Sequence, residues 1–92
     1  MIAFENFNQA QKILESDDYK SQIFNIIIDK LNVAINDDLD EVILFYYQEE
    51  NVYHYITYKE YKKSLEKAIN YFVSIEEYET CTKIKNIINI LK

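Results

Sequence analysis

One histidine, one cysteine and a single dense run of carboxylates are the groups in this 92-residue chain whose types could do chemistry. Catalysis needs a nucleophile, a base and an orienting group, or a metal with its ligands. Cys81 falls on an apolar helical stripe, where a small thiol packs as an ordinary core residue. His54 stands in an alternating aromatic stretch, as a ring partner first and a source of pH sensitivity at an interface second. One His and one Cys with no neighbouring pair do not make a familiar zinc site. Asp37, Asp38, Asp40 and Glu41 lack the alternating ligand spacing and the glycine of a calcium loop. They read instead as a solvated loop or a patch for a basic partner. The chain has no glycine with which to cradle a phosphate. The expectation is a protein that is not an enzyme, with no cofactor and no metal.

The remaining candidates are aromatic and basic. Residues 41–61, "EVILFYYQEENVYHYITYKEY", hold six of the nine tyrosines. Tyrosine combines large rigid contact area with a polar tip and little rotamer entropy to lose, which enriches it in binding surfaces. Lys59, Lys63 and Lys67 form a row of side chains four apart, with Lys62 beside it. Such a row is a solvated face by default, and a secondary contact with RNA or an acidic protein surface at its sharpest.

Composition narrows the partner. The formal net charge is −6 and unevenly placed: residues 1–56 carry 3 Lys against 11 Asp and Glu, residues 57–92 carry 7 Lys against 5 Glu. There is no arginine, the preferred tool for phosphate and base-edge recognition. An acidic chain repels nucleic acid and is drawn to basic surfaces. A lone cysteine forms no internal disulfide and fits a reducing compartment. The start, "MIAFENFNQA", lacks a basic region followed by a long apolar stretch, and "VILFYY" is too short to span a bilayer. The expected setting is cytoplasmic. Ile, Lys, Asn and Tyr supply 43 residues of 92, the products of A/T-rich codons, which suggests an A/T-rich microbe or one of its viruses.

One domain of this size must hold these residues in place. Phe4, Phe7, Ala10 and Leu14 predict a first helix over residues 3–15. Ser16, Asp17 and Asp18 can cap a second. Its stripe is Tyr19, Ile23, Ile27, Leu31 and Ala34, widened by Phe24, Ile28 and Ile35, and Asn36 is placed to end it in a left-handed conformation. Val42–Tyr47 and Val52–Thr57 then suit a β-hairpin pairing Tyr47 with Val52, Phe45 with His54 and Ile43 with Ile56. That alternation assigns Ile43, Phe45, Tyr47, Val52, His54 and Ile56 to the core. It leaves Val42, Leu44, Tyr46, Tyr53, Tyr55 and Thr57 facing outward. Thr57-x-x-Glu60 and Ser74-x-x-Glu77 each read as a capping box with a hydrophobic staple, opening a third and a fourth helix. Tyr61, Leu65, Ala68 and Phe72 face inward from the third; Tyr78, Cys81, Ile84, Ile88 and Leu91 from the fourth. The expected architecture is α+β: two N-terminal helices, a central β-hairpin and a C-terminal antiparallel helical hairpin.

Residues 65–92 resemble the UVR motif, a short helical hairpin, through "EEYETCTKIKNIINIL". Tyr78-Glu79 stands at its aromatic and glutamate, Cys81-Thr82 at its two small residues, and Ile84, Ile88 and Leu91 at its aliphatics. Lys85-Asn86 replaces its Arg-Asp pair. The resemblance implies a docking element without catalysis. In size, acidity and absence of chemistry the chain is similar, in general character, to anti-CRISPR and related anti-defence proteins. The expected function is therefore a small inhibitor, encoded by a virus or mobile element, that occupies a larger host protein or ribonucleoprotein. Tyr46, Tyr53 and Tyr55 would anchor it, and Asp37, Asp38, Asp40 and Glu41 would steer it. Direct nucleic-acid contact would pass through Lys59, Lys63 and Lys67, and no membrane is involved. The alternative is a self-associating assembly protein that uses the UVR-like hairpin.

Overall fold

The computed structural model describes residues 2–91 and runs β1 (Ile2–Phe4), α1 (Phe7–Glu15), α2 (Asp17–Asn36), β2 (Glu41–Tyr47), β3 (Val52–Thr57), α3 (Tyr58–Ser74) and α4 (Tyr78–Ile90). This is an α+β fold with N-terminal helices, central strands and C-terminal helices, as the periodicities predict. Helix α2 ends where expected, and Tyr61, Leu65, Ala68 and Phe72 are the buried stripe of α3. Several features differ from expectation.

The first helix begins later than residue 3. Asn6 is extended, and its side-chain oxygen accepts the Gln9 N–H at 2.8 Å, so the helix starts after it. The residues upstream pair in parallel with β2, Ile2 opposite Phe45 and Phe4 opposite Tyr47. The sheet therefore has three strands in the order β1-β2-β3, rather than a lone hairpin. Phe4 is buried, with its ring 5.3 Å from Phe45 and 6.0 Å from Tyr47. This short strand covers one edge of the hairpin and seals its apolar end.

The hairpin closes as read, with Tyr47 opposite Val52, Phe45 opposite His54 and Asn51 in a left-handed conformation at φ 53°. Beyond Phe45 the register slips. Leu44 is an extra residue in β2, so Ile43 faces Tyr55 and Val42 faces Ile56. Leu44 and Phe45 are consecutive yet both buried, and Ile43 is turned out to solvent. The expected assignment of Ile43, Val52 and His54 to the core is overturned: the slip turns Ile43 out and Leu44 in, while Val52 and His54 keep their expected pairing but are exposed. A bulge takes up one residue and reverses the alternation beyond it.

The capping box at Thr57 and Glu60 forms, the Glu60 carboxylate accepting the Thr57 N–H at 3.0 Å. The one expected at Ser74 and Glu77 does not. Ser74 is the last residue of α3, and Glu77 precedes α4 without a side-chain cap. The chain spends these residues on ending α3: the Glu76 N–H donates to the Val73 carbonyl (3.0 Å) and the Glu77 N–H to the Phe72 carbonyl (2.9 Å), with Glu76 at φ 62°. That is a Schellman closure. The same device ends α2, with Asp38 and not Asn36 taking the left-handed position at φ 54°. Asn36 stays helical and its amide donates to the Asn32 carbonyl at 2.8 Å. In α4 the buried stripe is Cys81, Ile84 and Ile87, so Tyr78 stands outside. Tyr19 and Phe7 are likewise exposed.

A core of Ile28, Leu31, Ala34, Phe45, Ile56, Tyr61, Leu65, Phe72 and Ile84 joins the helices to one face of the sheet. Closing two helices through carboxylate-bearing residues with positive φ carries a strain that glycine would relieve. Asp38→Gly and Glu76→Gly are each expected to raise the unfolding free energy by about 0.5–1 kcal/mol, read as a higher urea midpoint at unchanged slope.

Candidate functional site

The helices pack on one face of the sheet only. Residues directly opposite one another in an antiparallel ladder share a face. The pairs Tyr46–Tyr53 and Ile43–Tyr55 therefore lie together on the other face. Tyr53, Tyr55 and Ile43 are 49%, 54% and 43% exposed there. Tyr46 is half-buried beneath Tyr53, ring centroids 4.7 Å apart, and its hydroxyl donates to Asn51 Oδ1 at 2.7 Å. Tyr46 is thus a fixed base for the strip, while Tyr53 and Tyr55 offer their rings to solvent. Of the expected tyrosine face the structure brings together all three rings and adds Ile43.

The acidic run forms the turn between α2 and β2, and Asp37, Asp38, Asp40 and Glu41 are all exposed. Two bonds from α3 hold this turn. The Tyr58 N–H donates to the Asp40 carbonyl at 2.8 Å, and the buried Tyr61 hydroxyl donates to the Leu39 carbonyl at 2.9 Å. Glu41 pairs with Thr57 at the end of the sheet, two residues along from Ile43 and on the same face. The turn and the strip therefore meet end to end, an apolar patch with carboxylates at one margin.

Lys59, Lys63 and Lys67 are exposed on α3, in the helical layer. Lys59 joins Lys62, Tyr58, Ile88 and Leu91 around a groove of about 280 Å³. His54 lies 5.7 Å from the Phe45 ring, as the pairing predicts, but faces solvent. Cys81 is buried with its Sγ 3.7 Å from the Ile69 carbonyl. Among the described residues no group of three or more His, Cys, Asp and Glu side chains could hold a metal ion. No helix among them is long and apolar enough to cross a membrane.

Sequence reasoning missed Ile43 and the role of Tyr61. Nothing in "EVILFYY" marks where a strand takes an extra residue. The Tyr61 hydroxyl, by contrast, had to find a partner once its ring was placed in the core, although the Leu39 carbonyl that accepts from it lies 22 residues back in the sequence. Compared with protein families, curated proteins and solved structures, the chain matches none.

Burial, and then the carboxylates of Asp40 and Glu41, push the Tyr61 phenol above its ordinary 10.0; burial and then Glu50 do the same to Tyr47. The folded state holds these protons more tightly than the unfolded one. Their contribution is complete below the unperturbed phenol value and is lost as pH rises through the folded one. Tyr61→Phe is expected to lower stability near neutral pH by about 1 kcal/mol through loss of the bond to Leu39. It should also flatten the loss of stability above about pH 10. Urea unfolding across that alkaline range checks both effects.

Proposed function

We propose that the protein is a small, non-catalytic, protein-binding inhibitor, encoded by a virus or mobile element and directed at a host nucleic-acid-binding defence complex. The observation that carries this reading is the uncovered sheet face: Tyr53, Tyr55 and Ile43 exposed over Tyr46, with the pinned acidic turn at one end. A small protein rarely leaves a contiguous apolar patch uncovered unless something binds it. Rigid rings centred in such a patch are the groups that dominate interface energetics, and flanking charge sets encounter rate and choice of partner. Carboxylates beside the strip favour a basic surface, the kind that lines a nucleic-acid channel. Cys81 is buried, and His54 is exposed with its ring set against Phe45, an arrangement that supports occupation of a surface over reaction. The mechanism is competitive: the face covers a site that nucleic acid or another subunit needs.

A self-associating assembly protein is the second reading. It draws on Val73, Ile75 and Tyr78, exposed around the turn of the UVR-like hairpin. Light scattering after size exclusion separates the two, since the first reading expects a monomer that retains a large nucleoprotein from host lysate.

The folded Tyr46/Tyr53/Tyr55→Ala variant should lose that capture, each exposed ring contributing about 2 kcal/mol. Retention of every captured protein by this variant would refute the site. Neutralising Asp37, Asp38, Asp40 and Glu41 to their amides should slow association about tenfold at low salt and leave dissociation nearly unchanged, measured by surface plasmon resonance.

A further inference from the structure

Among the described residues strand β3 is the outer strand of the sheet, with β2 on one side and no strand on the other. Val52, Tyr53, His54 and Tyr55 are exposed, so neither face of this stretch is covered by a helix. Its direction can be read from the strand's end. The Thr57 N–H is taken by Glu60 and points away from β2, while the next N–H, of Tyr58, reaches back to Asp40 on the β2 side. Backbone groups alternate along an antiparallel strand. Those of Tyr55 and Tyr53 therefore share the outward direction of Thr57, and the two residues that present rings on the face also present N–H and C=O groups along the edge. The strand carries none of the usual guards, neither a lysine, a proline nor a bulge of its own.

We infer that this edge takes an extended segment of the partner as a fourth strand, and that the segment carries Lys or Arg at the end that meets Glu60 and Glu41. The inference rests on the protein-binding reading and names the chemistry of its partner. Charge decides the occupant. The carboxylates of Asp37, Asp38, Asp40, Glu41 and Glu60 still outnumber Lys59, Lys62, Lys63 and Lys30, whose ammonium reaches the Ile43 carbonyl at 3.3 Å, around this end of the sheet. A second copy would set one chain of net charge −6 against another, like charge against like. A basic segment gains where a second copy loses. Main-chain bonds at Tyr53 and Tyr55 would supply register, and alternate side chains of the segment would lie beside the two rings.

The test uses the whole chain made by chemical synthesis, in parent form and with the Tyr55 nitrogen methylated. Methylation keeps the ring and removes the outward donor. The probe is a blocked peptide of about eight alternating Val and Thr residues, ending in two lysines or in two glutamates. The expected result is slowed amide exchange at Tyr53 and Tyr55 with the lysine peptide, at least about tenfold weaker binding by the glutamate peptide, and a similar loss for the methylated chain. Equal binding by methylated and parent chains overturns the edge inference. So does protection of the two amides that grows with protein concentration alone, which would mean a second copy. The two readings fail separately. A methylated chain that still captures its partner, beside a Tyr46/Tyr53/Tyr55→Ala variant that does not, removes the edge and leaves the face; capture by both removes both.

Discussion

Leu44 is one residue more than β3 can pair, and the outer surface of the protein follows from it. Without the slip, Ile43 would point into the core and Leu44 would stand among the tyrosines. With it, Leu44 and Phe45 are buried in succession at 4% and 5% exposure, and Ile43 comes out beside Tyr55. Phe45 is buried in either register, so the slip exchanges Ile43 for Leu44 in the core, two side chains whose burial is worth about the same, on the order of 2 kcal/mol each. The same slip brings Glu41 level with Thr57, so the acidic turn arrives at the margin of the strip.

Rigidity of that margin comes from the core. Tyr61 is fully buried, yet its hydroxyl reaches the Leu39 carbonyl, and the Tyr58 N–H fixes Asp40. The acidic turn is thereby tied to the start of α3, which follows β3 without a linker residue. A surface whose charges and rings are held before contact loses less entropy when it binds. The absence of glycine works in the same direction: Asp38, Asn51 and Glu76 take the left-handed positions themselves, and the turns they make carry charge or amide groups to the surface.

The helices, their order and the hairpin were legible because each rests on a signal spanning many residues. The stripe Tyr61, Leu65, Ala68, Phe72 and the capping box at Thr57 speak for α3 independently of any tertiary contact. β1 was not legible, since three residues carry no periodicity and its partner lies about forty residues away. The Ser74 signal misled because the same residues can open one helix or close another, and the Schellman bonds at Phe72 and Val73 won. The outward placement of Tyr46, Tyr53 and Tyr55 followed from alternation in β3 and near the turn, where the register is regular. Ile43 and Leu44 lie beyond the bulge, where alternation gives the opposite answer.

Tyrosine footprinting of the protein, free and in the complex captured from host lysate, tests the central claim most directly. In the free protein Tyr53, Tyr55, Tyr19 and Tyr78 should all react, being about half exposed or more, and Tyr61 should not. The account expects binding to protect Tyr53 and Tyr55 while Tyr19 and Tyr78 stay reactive. Protection of Tyr19 or Tyr78 with Tyr53 and Tyr55 unchanged would place the interface on the helices and contradict it.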